Sequence, residues 1–269
     1  MGVAEALAIF VAGAAAGTVN AVVGSGSLIT FPTLLAFGFP PVVANVSNNV
    51  GLVPGNFSGA FGYRRELAGQ RPRLLWLGIF SVLGAAAGAA ALLALPAGAF
   101  KLVVPVLILA SCVLVLLQPR LSARIAARRK RAREQAGDQG GAANRRAADQ
   151  ATRGGPLLAG GVFGAAIYGG YFGAAQGVLV IGLLGTFLDE TMQRINGAKN
   201  VLVGMVNGTA AIVYIIFAHV NWLVVLLIAV GSTIGGLTGA RIGRKLPPLA
   251  LRIFIVVIGL ISVIRLIFF

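Results

Sequence analysis

Hydrophobic runs of two lengths follow one another along the chain, and a polar segment divides them into two series. A helix needs about 20 apolar residues to cross the hydrocarbon core of a bilayer. Most of the runs reach that length, which predicts an all-α integral membrane protein. The runs lie at about 3–23, 28–39, 42–62, 74–94 and 97–117, and then at about 156–173, 178–188, 196–217, 221–240 and 248–269.

Two of the runs, 28–39 and 178–188, are too short to cross a bilayer as helices. Each follows a glycine-rich break at the same place in its series. Short apolar pieces after a glycine interruption, at matching positions, indicate broken or re-entrant helices beside a transport site. The breaks contain Gly24, Ser25, Gly26 and Ser27 in the first series, and Gly173, Ala174, Ala175, Gln176 and Gly177 in the second.

Polar residues recur inside the apolar runs at a constant separation of 151 positions. An unpaired amide in hydrocarbon is costly, so asparagines are not needed merely to span a bilayer. Their duplication predicts a transporter built from an internal repeat, with a polar site shared by the halves. The matched pairs are Asn45 and Asn196, Asn49 and Asn200, Asn56 and Asn207, Ser58 and Thr209, and Tyr63 and Tyr214.

The duplication divides the chain into a first membrane repeat at 1–117, a basic linker at 118–155 and a second membrane repeat at 156–269. Basic loops of membrane proteins face the cytoplasm. The arginine-rich loop 62–73 and the linker are therefore expected there. In the second half the charge pattern is reversed, with a basic loop at 241–245. This predicts two inverted repeats, each with one broken or re-entrant unit and three transmembrane helices, for about eight transmembrane segments.

The composition supports a membrane protein and argues against several other classes. The chain is 58% hydrophobic and 11% charged, whereas soluble domains carry about 25% charged residues. The net charge of +15 is gathered in loops, which favours a multi-pass protein of the cytoplasmic (inner) membrane in contact with lipid over a nucleic-acid-binding protein.

The sequence offers no nucleophile–base pair, metal-ligand cluster or phosphate-binding loop, so neither an enzyme nor a cofactor nor a metal is expected. The single cysteine, Cys112, is expected to be a buried apolar side chain. Small residues at 84–91 and 231–239 can pack within one subunit or between two, which leaves a homodimer open.

Anion binding is the chemistry that these residues favour. Half-helices that end at the breaks would direct backbone N–H groups and their positive dipole ends inward. The runs contain no acidic residue beyond Glu5, whereas Lys199 lies within one of them. The residues predicted to contact the substrate are Gly24, Ser25, Gly26, Ser27, Asn45, Asn48, Asn49, Gly173, Gln176, Gly177, Asn196, Lys199 and Asn200.

Each group of polar residues also has an alternative interpretation. The asparagines can hold helices together, and Lys199 can extend to the interface in place of attracting substrate. The residues further along the same helices either line the pathway or lock the two halves together. These residues are Asn56, Ser58, Tyr63, Asn207, Thr209 and Tyr214.

The run from Gly17 to Leu35, with Gly38 and Pro40 after it, resembles the first repeat of the sulfite exporter family. This family is also called TauE/SafE, or the toluene-sulfonate uptake permeases. The run from Tyr168 to Gly177 is similar to its second glycine-rich repeat. The resemblance implies a permease of about eight segments for sulfite, sulfoacetate or other organosulfonates. The chain departs from the family pattern at Ser25 and Ser27 and in its second break.

The predicted function is a permease that exports a sulfur-containing anion by alternating access. An inside-negative potential drives anions outward by about 2.3 kcal/mol per charge per 100 mV, so export needs no coupling ion. Two alternatives remain at this point. One is a transporter for another small organic anion or metabolite, and the other is a non-transporting membrane component that acts through a partner.

Overall fold

The computed structural model describes residues 1–136, 155–242 and 248–268, and these ranges fold into ten helices. The all-α prediction is confirmed for these ranges. The helices are α1 (Val3–Val22), α2 (Ser27–Ala36), α3 (Pro41–Gly62), α4 (Arg71–Ala94), α5 (Ala97–Ala136), α6 (Gly155–Tyr171), α7 (Gln176–Phe187), α8 (Met192–Phe217), α9 (Trp222–Ile242) and α10 (Pro248–Phe268).

Five helices of the described ranges are long and apolar enough to cross a membrane. Helix α3 has 22 residues but is not among them, because its asparagines lower its mean hydropathy. The count of eight transmembrane segments therefore stays a prediction. The five candidate spans are Val3–Val22, Arg71–Ala94, Gly98–Arg120, Met192–Phe217 and Trp222–Arg241.

Both glycine-rich breaks interrupt helices, and a short helix follows each of them, as the sequence predicts. Helix α2 has 10 residues and α7 has 12. Gly24, Gly173 and Ala175 have φ angles of +86°, +78° and +57°, so the backbone enters the left-handed region in both breaks. This conformation costs glycine little, which explains its use where the helices reverse.

The first helix of each half packs against the fourth helix of the other half, backbone to backbone. A methyl group on Gly235 of α9 would lie 2.0 Å from the Ala14 carbonyl oxygen of α1. A methyl group on Gly88 of α4 would lie 2.0 Å from the Ile167 carbonyl oxygen of α6. Small residues permit this close approach. The stretches 84–91 and 231–239 are thus used within the chain, and a homodimer stays a prediction.

The equivalent helices α3 and α8 pack against each other in opposite directions. Asn49, early in α3, donates to Asn207, late in α8, at 3.5 Å. Tyr63, which caps the end of α3, lies beside Gly197 near the start of α8. An axis that exchanges the halves is therefore perpendicular to these helices. Two repeats that are inverted across a membrane must have their equivalent helices antiparallel, as α3 and α8 are. The inversion itself stays a prediction.

Helix α5 continues to Ala136 without a break at the predicted start of the linker. Its 40 residues make it about 60 Å long, roughly twice the thickness of the hydrocarbon core. Residues 137–154, which are all the rest of the predicted linker except Gly155, lie outside the described residues, as do residues 243–247 after the second basic loop begins. The domain boundaries and the cytoplasmic position of the linker stay predictions.

Candidate functional site

The two glycine-rich breaks meet tip to tip in the structure. The Gly177 N–H group donates to the Gly24 carbonyl oxygen at 3.0 Å. A methyl group on Gly24 would lie 2.5 Å from the Gly177 Cα atom, and one on Gly177 would lie 2.4 Å from the Gly24 Cα atom. Real Cβ atoms do not approach backbone this closely, so only glycines fit at this contact.

Buried polar groups without partners flank the contact on both sides. Ser25 and Gln176 are equivalent positions of the two halves, and each is 1% exposed. The Ser25 hydroxyl and both polar atoms of the Gln176 amide have no hydrogen-bond partner. Leaving a buried polar group unsatisfied costs about 1–3 kcal/mol. Such groups at the meeting point of two broken helices indicate a place for a polar ligand or water.

The asparagines of α3 and α8 add further unsatisfied atoms to this centre. Asn56 is hydrogen-bonded to Asn20, which binds the first break, while Asn200 reaches the end of α1 and Asn45 the end of α6. The contact of these asparagines with a substrate stays a prediction. Among the described residues, other buried side-chain atoms of this kind belong to Ser81 and Gln118. The unsatisfied asparagine atoms are Asn45 Oδ1, Asn49 Oδ1, Asn56 Nδ2 and Asn196 Oδ1.

Asn20, which is not among the residues predicted to contact the substrate, also lies at the first break. Its Oδ1 atom accepts a hydrogen bond from the Gly26 N–H group at 2.7 Å, and its Nδ2 atom donates to Asn56 Oδ1 at 3.3 Å. Position 171, its counterpart in the second half, is a tyrosine, so Asn20 does not belong to a matched pair. An asparagine inside an apolar run is the signal that would have identified it.

Two backbone donors expected to face an anion already have protein partners. Asn20 accepts from the Gly26 N–H group, and the Gly24 carbonyl accepts from Gly177. Asn48 is also engaged, since its Oδ1 atom accepts from the Thr30 hydroxyl of α2. An anion at this centre would therefore rely on side chains, or on backbone donors released when the two breaks part.

Lys199 caps the C-terminal end of α1. Its side chain is buried, and its ammonium donates to the carbonyl oxygens of Asn20 and, at 3.2 Å, of Ala21. Asn200 donates to the same Ala21 oxygen at 3.4 Å. A cation is favourable here, because the last carbonyls of a helix carry its negative dipole end. The interpretation that Lys199 extends to the interface is wrong, and its contact with substrate stays a prediction.

The C-terminal end of α6 is capped by neutral groups. Asn45 donates through Nδ2 to the Tyr171 carbonyl oxygen at 3.0 Å, and the Tyr214 hydroxyl donates to the Gly170 carbonyl oxygen. Both capping side chains come from the long helices α3 and α8. Each broken helix is thus closed by polar side chains from α3 and α8, and among the side chains that the structure describes an ammonium is present only at the end of α1.

The residues expected to line a pathway have mixed positions. The Ser58 hydroxyl donates to the Thr233 carbonyl oxygen at 3.0 Å and so ties α3 to α9. Tyr214 ties α8 to α6 as described, which favours the locking interpretation for these two residues. Asn56 and Asn207 lie in the polar centre, Tyr63 is buried beside Gly197, and Thr209 is partly exposed.

An ion-pair cluster joins the loop before α8 to the start of α4. Glu190 contacts Arg73 at 3.0 Å and Arg194 at 2.6 Å. Burial by itself would raise the pKa of the Glu190 carboxyl, but the hydrogen bonds and charges of Arg194 and Arg73 outweigh it and lower the pKa below its ordinary value. Arg73 therefore has an ionic partner, whereas Lys199 donates to backbone carbonyls.

Comparison with known proteins identifies the kind of protein that contains this centre. A family model described as sulfite exporter TauE/SafE matches residues 9–266. A probable membrane transporter protein of Haemophilus influenzae is 32% identical over 42% of this chain and 44% of its own length. One from Sinorhizobium sp, named ORF9, is 28% identical over 42% of this chain and 43% of its own length.

A third relative, the probable membrane transporter protein YfcA of Escherichia coli K12, is 22% identical over 86% of this chain and 79% of its own length. No solved structure matches the chain. The match to the first two relatives spans less than half of their length, whereas the family model spans nearly the whole chain. The chain therefore belongs to the sulfite exporter TauE/SafE family of membrane transporters.

Proposed function

We propose that the protein is a permease that exports a small sulfur-containing anion, such as sulfite, sulfoacetate or another organosulfonate, across the cytoplasmic membrane. The observation that carries this proposal is the meeting of the two breaks at Gly24 and Gly177, flanked by unsatisfied Ser25 and Gln176. Transporters built from repeats bind their substrates between broken helices in this way.

The buried charge supports an anion as the substrate. Lys199 is 1% exposed, and its ammonium donates to neutral carbonyl oxygens. A buried ammonium is costly unless an opposite charge compensates it. An anion in the polar centre would supply that charge. The family description names sulfite, which makes sulfite the first anion to test.

Alternating access is the mechanism that we propose for this centre. The direct contact between Gly24 and Gly177 closes the space between the breaks, so substrate entry requires the two hairpins, α1–α2 and α6–α7, to separate. Separation would release the Gly177 N–H group as a donor for an oxyanion. The membrane potential then favours outward movement of the negative charge.

Anion flux in proteoliposomes tests the proposal. The vesicles are loaded with sulfite, sulfoacetate or chloride, and potassium with valinomycin sets the potential. We expect potential-dependent efflux of a sulfur-containing anion that is lost in Asn49→Ala and Asn200→Ala. Asn221→Ala is the control, since Asn221 caps the start of α9 outside the polar centre. If folded protein moves none of these anions, the proposal is wrong.

A further inference from the structure

We propose that a small monovalent cation, sodium or hydronium, binds at the C-terminal end of α6 between the Tyr171 carbonyl oxygen and the Asn45 amide oxygen. The binding site follows from the structure alone. Its role, which is to accompany the transported anion, rests on the proposed function.

The first observation is the unequal capping of the two broken helices. At the end of α1, the Lys199 ammonium lies on the Asn20 and Ala21 carbonyl oxygens. The equivalent residue of the first half, 151 positions earlier, is Asn48. Among the side chains that the structure describes, the C-terminal dipole end of α6 therefore faces neutral groups, although it too attracts positive charge.

The second observation is an unsatisfied acceptor at the same end. Asn45 is 2% exposed, and its Oδ1 atom has no hydrogen-bond partner. The amide cannot be reversed without loss, because its Nδ2 atom donates to the Tyr171 carbonyl oxygen at 3.0 Å. The unsatisfied atom is therefore an acceptor, and a cation or a water held by a cation would satisfy it.

The available ligands determine the class of cation. They are neutral oxygens, and the described acidic side chains, Glu5, Glu66, Asp189 and Glu190, lie at the start of α1 and in two loops. Calcium sites are built with carboxylates, and zinc prefers nitrogen and sulfur ligands. Backbone carbonyls at the ends of broken helices coordinate sodium or protons in transporters.

Charge balance couples this cation to the anion. Lys199 already contributes one positive charge to the centre, so a second cation is favoured when a negatively charged substrate is present. A divalent anion would be neutralised by Lys199 and one monovalent cation together. A divalent anion that moves with one cation still carries one negative charge, so the potential continues to favour export.

The binding test uses thermal unfolding of the detergent-solubilised full chain in sodium, potassium or choline gluconate at equal ionic strength, over a range of pH. We expect sodium or low pH to raise Tm by a few degrees, and more so with sulfite present. Asn45→Leu should abolish the shift because it removes the acceptor. Asn48→Lys should also abolish it, because the new ammonium can occupy the end of α6 as Lys199 occupies that of α1.

Asn196→Leu is the matched control. Asn196 is the counterpart of Asn45 and also has an unsatisfied Oδ1 atom, but it lies on α8, the helix from which Lys199 already supplies an ammonium to the end of α1. The cation-dependent shift should persist in this variant. A shift of equal size in wild type, Asn45→Leu and Asn48→Lys would overturn the proposal, as would the absence of any shift in the wild type.

Flux measurements at clamped potential separate this proposal from the proposed function. Sulfite flux that rises at least fivefold with sodium or with a proton gradient, and loses this dependence in Asn45→Leu, supports both. Sulfite flux without any cation dependence overturns the coupling role and leaves the anion permease standing. A cation-dependent Tm shift without flux of any sulfur-containing anion supports the binding site and contradicts the proposed function.

Discussion

The C-terminal ends of α1 and α6 occupy equivalent places in the two halves, yet different chemistry caps them. Lys199 supplies an ammonium to the end of α1, whereas Asn45 and Tyr214 supply neutral donors to the end of α6. The backbone arrangement is duplicated while the charge is not. A repeat can thus keep its packing and still differentiate its halves through one buried side chain.

What the halves share most closely is the contact between their breaks, and we expect its disruption to have the largest effect. Gly24→Ala combines a positive φ angle with a methyl group 2.5 Å from the Gly177 backbone. We expect a loss of about 2–4 kcal/mol in the free energy of unfolding. Thermal or denaturant unfolding in detergent measures it.

Gly38→Ala separates backbone strain from the clash in that experiment. Gly38 has a similar φ angle of +82°, but nothing lies within 4 Å of an added methyl group. Gly38→Ala should lower the free energy of unfolding by about 1 kcal/mol. Equal losses for the two variants would mean that the contact between the breaks does not contribute to stability.

Replacing Lys199, the buried side chain in which the two halves differ, tests the effect of that difference. Lys199→Asn gives both halves an asparagine at this position and removes the ammonium from the end of α1. We expect anion flux to fall at least tenfold, which corresponds to about 1.4 kcal/mol, and stability to fall by about 1–3 kcal/mol through the unsatisfied carbonyls. Lys199→Arg, which keeps the charge, should restore part of the flux. Unchanged flux in Lys199→Asn would contradict the anion proposal.

The neutral cap of α6 can be weakened without a change of charge. Tyr214→Phe removes the hydroxyl that donates to the Gly170 carbonyl oxygen. We expect a loss of about 1–2 kcal/mol in unfolding free energy, because the buried carbonyl loses its donor. Tyr171→Phe, at a partly exposed ring, is the control and should change stability by less than about 0.5 kcal/mol. Similar losses in the two variants would argue against a capping role for Tyr214.

The smallest effect is expected at the ion-pair cluster of the loop before α8. Glu190 has a folded-state pKa below its ordinary value of 4.5, so its pairs with Arg73 and Arg194 stabilise the fold above that pH. Their contribution is lost as pH falls through the lowered pKa. Glu190→Gln should lower stability by up to about 1 kcal/mol at pH 7, and the difference should vanish at low pH. A difference that is independent of pH would rule out the ion pairs as its cause.

Much of the architecture could be predicted because the repeated positions hold polar residues, which are costly inside a membrane. The matched pairs identify α3 and α8 as equivalent helices; they run from Asn45 and Asn196 to Tyr63 and Tyr214. The two glycine-rich breaks identify where the short helices α2 and α7 begin. The sequence pattern places a boundary at residue 118, where apolar residues give way to basic ones, whereas α5 continues through this position to Ala136. A helix can cross such a change in composition because alanine and arginine both favour helix.

The sequence by itself determined that this is an all-helical membrane transporter of duplicated design with polar residues inside apolar helices. It did so because apolar runs, glycine breaks and amides inside apolar runs each have an energetic consequence that depends on the local sequence alone. The tertiary structure alone decided that Lys199 caps α1, that Asn20 joins the centre and that Gly24 meets Gly177. Those contacts join residues up to 179 positions apart, and only the packing of helices sets which donors reach which carbonyl oxygens.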